Sequence, residues 1–340
     1  MNVMIIFGGE SYEHDVSIIT GCVAYNLLKD DYKLFPIYIN KHNELYYYNE
    51  CNVDSFKKGK KGKKVELVHR GFKQGFSTHK IDVAIIATHG INGEDGMSKA
   101  ILDFYKIPSI GSSLIASAVN MDKYYSYCIL NENKINVVDT TFITKDNLVH
   151  NLEYPVILKP SRLGSSIGIQ VAYNEEEYNC KVKESLKFDN KIVVQKYLDD
   201  IEELNISLYK NKFGIEVSNI EIVDKHEELY TYEDKYTKHI SKRKYLDDTE
   251  LISKIREMAI KSYEIFDLSG IVRIDFIYHD NEIYLNEINT IPGSLSNYLY
   301  DEEFTEIIKQ LISKVLFDTI NKECIVFNSN VLFYDYNMKK

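Results

Sequence analysis

Apolar, mostly β-branched positions run unbroken from Val3 to Phe7 and stop at Gly8-Gly9. Apolar residues then recur at helical spacing from about His14 to Leu28, so the pattern predicts a strand, a glycine turn and a helix, the opening of an α/β sheet. Leu34 to Ile39 and Val83 to Thr88 read as further buried strands, the second running into another glycine-bearing loop, His89 to Gly96. Two glycine loops at strand ends predict one ligand crevice. Between them, Lys57 to Lys64 holds six lysines and two glycines. It is too glycine-rich for a helix and too charged for a core, which predicts a solvated loop.

Beyond Gly111 the pattern turns helical through about Asn131, and a second domain is expected from residue 113. Pro155 to Leu158, Ile167 to Val171 and Ile192 to Gln195 read as strands. From Asp248 to Phe266 the apolar residues Leu251, Ile252, Ile255, Met258, Ala259 and Phe266 share one helical face, with Asp248 or Thr249 as N-cap. Ile271 to Ile277 and Glu282 to Leu285 follow as strands, joined at Tyr278-His279-Asp280-Asn281 in a hairpin.

Composition narrows the class. At 340 residues and 44% hydrophobic content the chain can bury the cores of two or three domains. A net charge of -10 argues against a nucleic-acid binder. The five cysteines, Cys22, Cys51, Cys128, Cys180 and Cys324, show no zinc or C-x-x-C spacing and are expected to be mostly buried, reduced thiols. The apolar run at residues 2–7 is too short for a signal or membrane segment, so a cytoplasmic protein is expected.

The densest chemistry lies in the hairpin. Period-two alternation puts Arg273 and Asp275 on one face of the first strand, and Glu287 and Asn289 on one face of the second. A single such ion pair would be surface decoration. Four polar groups on otherwise apolar strands need a compensating partner, and oxygen donors of this kind suit a magnesium-nucleotide site. Lys159, at a strand end, followed by Gly164-Ser165-Ser166-Ile167-Gly168, offers a point charge, backbone N–H groups and hydroxyls to phosphate oxygens. Glu13, at a helix entry, is either a capping residue or an anchor for a substrate ammonium. His89 is either a satisfied loop histidine or a substrate contact. Tyr230 to Arg243 lacks periodicity and reads as a long loop able to act as a lid.

Together these segments resemble the D-alanine:D-alanine ligase family of the ATP-grasp fold. Seven motifs occur in family order: GGESYEHDVS, HGINGEDG, MDK at Met121 to Lys123, KPSRLGSSIGI, EDKY, RIDF and NEINTIPG. The resemblance implies an α/β (α+β) chain with three parts. These are a Rossmann-like N-terminal substrate-binding domain (1–112), a central ATP-grasp subdomain (113–200) and a C-terminal subdomain with lid and metal site (201–340).

The implied nucleotide contacts are Lys123, Lys159, Ser165, Ser166, Gln195, Glu203 and Lys235. Gln195 stands near the adenine, where many relatives carry glutamate. Glu13 would bind the first D-alanine and join Ser165 and Tyr236 in fixing the lid. Arg273 and the Gly293 N–H would stabilise the oxyanion, and Asp275, Glu287 and Asn289 would hold two magnesium ions, or manganese in their place. Glu13, His89 and Tyr298 make up the expected substrate site. Tyr298 departs from the family, which usually has a serine five residues past the glycine of Pro-Gly. The implied protein is an ATP-dependent D-alanyl-D-alanine ligase for peptidoglycan precursors, a homodimer without nucleic-acid or membrane partners. The alternatives are a ligase with a different second amino acid and a non-catalytic nucleotide-binding paralogue.

Overall fold

The computed structural model describes residues 1–59, 61–223 and 243–321. Strand β1 (Asn2–Gly8) and helix α1 (His14–Leu28) fall where the hydrophobic pattern placed them. The chain continues through β2 (Lys33–Ile39), β3 (Leu45–Tyr47), α2 (Val53–Lys57), β4 (Lys63–Val68), β5 (Gly71–Gln74), β6 (Ser77–Lys80), β7 (Val83–Ile86), α3 (Met97–Phe104) and β8 (Ser109–Ile110). These eight strands make one sheet, ordered β6-β5-β4-β3-β2-β1-β7-β8. β2, β1, β7 and β8 pair in parallel, as helical crossovers permit, while β3 to β6 extend the sheet as an antiparallel meander. The lysine-rich stretch is thus not wholly loop. Lys63 and Lys64 open β4, where Val65 and Leu67 turn inward and the polar residues between them face water.

The predicted helix after Gly111 is two helices, α4 (Leu114–Met121) and α5 (Lys123–Glu132). Asp122 breaks it by taking an extended backbone and accepting the Tyr124 and Tyr125 N–H groups. A four-stranded antiparallel sheet follows, built from β9 (Thr140–Thr144), β10 (Val156–Pro160), β11 (Gln170–Ala172) and β12 (Lys191–Lys196), with α6 (Glu175–Ser185) packed on it. The strand predicted at Ile167 to Val171 is shorter. Ser165, Ser166 and Gly168 take positive φ, so the chain is still turning there and pairs only from Gln170.

The third sheet, β15-β14-β13-β16-β17, comprises β13 (Glu202–Lys210), β14 (Ile215–Ile222), β15 (Lys244–Tyr245), β16 (Ile271–His279) and β17 (Glu282–Asn289). Helix α7 (Thr249–Ile265), N-capped by Asp248, covers it together with α4 and α5. The last described helix, α8 (Phe304–Asn321), returns to the first sheet, burying Ile307, Ile308, Leu311 and Ile312 beside Ile85 and Ile110.

The predicted hairpin forms, and its turn is the two residues Asp280 and Asn281, both at positive φ. β17 runs four residues further than predicted because of a bulge. Phe276 pairs with Leu285 but Asp275 pairs with Glu287, so Asn286 is an extra residue on β17. Strict alternation would put Leu285 and Glu287 on one face. The bulge sends Leu285 into the core and leaves Glu287 opposite Asp275.

Candidate active site

The four hairpin residues converge as their alternation implied. Asp275 lies opposite Glu287 and Arg273 opposite Asn289. Arg273 holds Asp275 with both prongs of its guanidinium, Nε donating to Oδ1 at 2.6 Å and Nη2 to Oδ2 at 2.7 Å. Asn289 Nδ2 donates to the same Oδ2 at 2.9 Å. Burial, opposed by Arg273 and reinforced by Glu287, leaves the Asp275 carboxyl above its ordinary value. Burial would raise Glu287 too, but Lys123, Arg273 and Lys159 together hold it below the usual carboxylate range.

Lys123 and Lys159 reach this face from the neighbouring elements. Lys123 Nζ lies 3.6 Å from Glu287 Oε2 and donates to the Leu163 carbonyl at 2.7 Å. Lys159 Nζ donates to Asn286 Oδ1 at 3.1 Å, tying the four-stranded sheet to the bulge of the five-stranded one. Burial, with help from the charge of Lys123, pushes the Lys159 ammonium down to about 8, against the pull of Glu287 and Glu203. The same narrow cleft is lined by Gln195, whose Nε2 donates to Thr140 Oγ1 at 2.8 Å, and by Leu130, Val137 and Leu285. Its walls thus combine aliphatic side chains with an amide and two lysine ammonium groups. Glu203 sits exposed near the start of β13.

Glu13 is not a cap. It occupies the N-cap position of α1, but its side chain makes no capping bond and instead accepts the Ser165 hydroxyl at 2.5 Å. Two glycines leave room for that carboxylate. A Cβ on Gly90 would lie 2.8 Å from Glu13 Oε2, and one on Gly164 would lie 3.2 Å from Oε1. Burial and then the charge of Glu94 raise the Glu13 carboxyl above its ordinary value, and Glu287 adds to the effect. Ser166 lies exposed beside Ser165, and both residues take positive φ.

His89 is buried in a relay absent from the sequence reading. Its Nδ1 lies 3.4 Å from Glu94 Oε1 and its Nε2 2.8 Å from Thr20 Oγ1, which in turn accepts the Ser294 N–H at 3.1 Å. The relay ties the first sheet to the turn that Gly293 opens, Gly293–Leu299, in which Ser294, Leu295 and Ser296 all have positive φ. Such strain persists only where the surroundings fix it. Tyr298, in that turn, lies under the guanidinium of Arg243, which also pairs with Glu221. Burial raises the Tyr298 phenol above its ordinary value. Lys235 and Tyr236 lie outside the described residues. Thr20, Glu94, Asn286 and Arg243 carried no local sign of their place at the site. Each gains it from a partner distant in sequence.

Two antiparallel sheets gripping a cleft, with Lys159 on one, the carboxylates of Asp275 and Glu287 on the other and Lys123 reaching in from a helix, are the architecture of the ATP-grasp class. The family model described as D-ala D-ala ligase N-terminus matches residues 2–112, and that described as D-ala D-ala ligase C-terminus matches residues 123–315. The chain belongs to the D-alanine–D-alanine ligase family. It is 36% identical to the D-alanine--D-alanine ligase of Thermosipho melanesiensis over 98% of each chain. Among solved structures it resembles the D-alanine-D-alanine ligase of Helicobacter pylori, with a TM-score of 0.79 and 28% identity over 92% of this chain and 98% of that one. It also resembles the VanG D-Ala:D-Ser ligase of Enterococcus faecalis, with a TM-score of 0.74 and 25% identity over 94% and 98%.

Proposed function

We propose that the protein joins two D-alanines into D-alanyl-D-alanine, a peptidoglycan precursor, with conversion of ATP to ADP and phosphate through a D-alanyl phosphate. The observation that carries this reading is the Ser165 hydroxyl donated to Glu13, which holds the loop after Lys159 against the start of α1. It puts an ammonium anchor and a phosphoryl-transfer site in one cleft.

In this reading Lys123, Lys159, Ser165 and Ser166 hold the triphosphate, Gln195 meets the adenine and Glu203 the ribose. Glu13 binds the ammonium of the first D-alanine and points its carboxylate at the γ-phosphate. The resulting acyl phosphate meets the amine of the second D-alanine. Arg273 and the Gly293 N–H then take the negative charge that develops on the carbonyl oxygen, and phosphate leaves. The sequence assigns Lys235 and Tyr236 to the lid that keeps water from the acyl phosphate.

The donor set fits magnesium. Asp275 and Glu287 face each other with only the Asn289 amide added, and among the described residues no cluster of three or more His, Cys, Asp or Glu side chains is arranged to hold a metal. A site with two carboxylates suits an ion that completes its shell with phosphate oxygens and water. Burial, and to a smaller extent the charge of Glu287, holds the Asp275 carboxyl above its ordinary value, and a cation there would favour its ionised form. Bound there, magnesium supplies neutralisation of charge on the transferring phosphoryl group.

The proposal includes a three-part chain divided at 1–112, 113–200 and 201–340, supported by one sheet in each part. It also includes a homodimer in the cytoplasm. No helix among the described residues is long and apolar enough to cross a membrane. Light scattering of the purified chain gives the assembly.

A second reading, with another amino acid as nucleophile, is favoured by the aromatic and cationic pair at Tyr298 and Arg243. Incubation with ATP, magnesium and panels of D- and L-amino acids, followed by mass spectrometry, decides between the two. Absence of D-alanyl-D-alanine among the products rejects the first.

A further inference from the structure

The cysteines do not follow their scattered spacing. Cys22, on α1, and Cys51, two residues before α2, are both 2% exposed, and their sulfurs approach to 2.6 Å. Cys128 and Cys180 are exposed, so burial is not general to the thiols of this chain. Twenty-nine positions separate the pair in sequence, and the fold alone brings them together. A disulfide bond is about 2.05 Å long, so closure asks for a shift of about half an ångström.

Access differs between the two. Cys22 lines a cavity of about 1140 Å³ between α1 and the segment from β2 to β4, with His14, Ile18, Tyr38, Tyr48 and Phe56 among its walls, whereas Cys51 is not part of that lining. A small molecule in the cavity therefore lies against Cys22 rather than Cys51, and since both residues are 2% exposed it reaches the sulfur only when the wall opens.

We propose that Cys22 and Cys51 are a reversible dithiol–disulfide modification site, with Cys22 as the entry thiol and Cys51 as the resolving thiol. The co-reactant is a low-molecular-weight disulfide, RSSR. Cys22 attacks one sulfur of RSSR, forming Cys22–S–SR and releasing RSH. Cys51 then attacks the Cys22 sulfur. The Cys22–S to SR bond breaks, the Cys51 proton goes to the departing thiolate and a second RSH leaves. Two cysteines are oxidised by two electrons and one RSSR is reduced to two RSH.

Burial, with the Cys22 contact, raises the Cys51 thiol far above its ordinary value. Its attack on the mixed disulfide is therefore slow and needs its proton to pass to the departing sulfur as the new bond forms. In a reducing compartment, disulfides of this kind are transient and sensory rather than structural. The bond would close a loop through α1, the helix whose N-cap is Glu13.

The test uses the full chain carrying C128S, C180S and C324S, incubated with glutathione disulfide, unfolded, alkylated and mapped by mass spectrometry without reduction. The expected product is one peptide pair joined through Cys22 and Cys51, with no alkylatable thiol, reversed by dithiothreitol. The oxidised form should also melt several degrees higher. In the same background, C51S should trap one glutathione on Cys22. Two alkylatable thiols after prolonged incubation overturn the pair, and a C51S chain without bound glutathione overturns Cys22 as entry.

Discussion

The Arg243 guanidinium lies 3.9 Å from the centroid of the Tyr298 ring, and the same arginine is paired with Glu221. A cation on a π face is worth about 0.5–2 kcal/mol, and the pairing fixes the ring at the position where the family resemblance implies a serine. Tyr298→Phe keeps the ring and the stack but removes the hydroxyl. If that hydroxyl meets the carboxylate of the second amino acid, KM for this substrate should rise about tenfold or more, the weight of a hydrogen bond to a charged group. KM for ATP should stay unchanged. Initial rates with each substrate varied in turn check both, and an unchanged KM for the second amino acid assigns the ring to shape alone.

Glu287→Gln should lower turnover by about a thousandfold, because stabilisation worth several kcal/mol is lost where phosphoryl charge develops. The carboxylate is only half-buried and is not gripped by Arg273 as Asp275 is, so the melting temperature should move little. Asp275→Asn should abolish turnover as well and also cost stability, since it leaves Arg273 without its bidentate partner. Steady-state rates and thermal melts of the two variants separate these effects, and normal turnover in either one removes it from the metal set.

Lys159 sets a pH dependence. Its folded value of about 8 lies below that of a free lysine, so its charge is complete below pH 8 and is lost as pH rises through it. If the ammonium holds phosphate, kcat/KM for ATP should fall above pH 8. Lys159→Arg should remove that limb by staying charged. Stability moves the other way. Between about 8 and the unfolded value the unfolded chain binds more protons, so the folded state gains as pH rises. Denaturant melts from pH 7 to 10 test the sign, on the ligand-free protein.

Gly90→Ala should damage the first-substrate site. The residue sits at φ +68°, and the added methyl group would lie 2.8 Å from Glu13 Oε2. The backbone cost is about 1–3 kcal/mol. KM for the first D-alanine should rise with it, while the nucleotide site, on other elements, keeps its affinity. Nucleotide binding by calorimetry beside substrate kinetics shows whether the loss is local.

The hairpin carboxylates were legible because period-two alternation is a local property: Arg273 and Asp275, like Glu287 and Asn289, needed only their neighbours to be placed. Helices α1 and α7 were legible for the same reason, at the helical period. The meander β3 to β6 was not, because its short strands carry few inward residues, Val65, Leu67 and Phe72 among lysines and turns, and look like loop until paired. Long-range partners hid the rest. His89 reads as an isolated loop histidine until Thr20 and Ser294 come from two other elements to meet it. Glu13 carried both meanings at once, and the Ser165 hydroxyl it accepts, from 152 positions away, removes the capping one.

The extra residue at Asn286 makes part of this enzyme a matter of counting rather than of side-chain identity. Core and catalytic groups follow each other on one strand, and a single inserted position changes the phase between them. Removing Asn286 would make Leu285 and Glu287 neighbours, and plain alternation already sends the first into the core and the second opposite Asp275, so the strand would keep every destination and lose only the side chain that Lys159 grips. A change of length at the bulge is therefore absorbed, whereas the same change anywhere else on the strand would exchange its two faces.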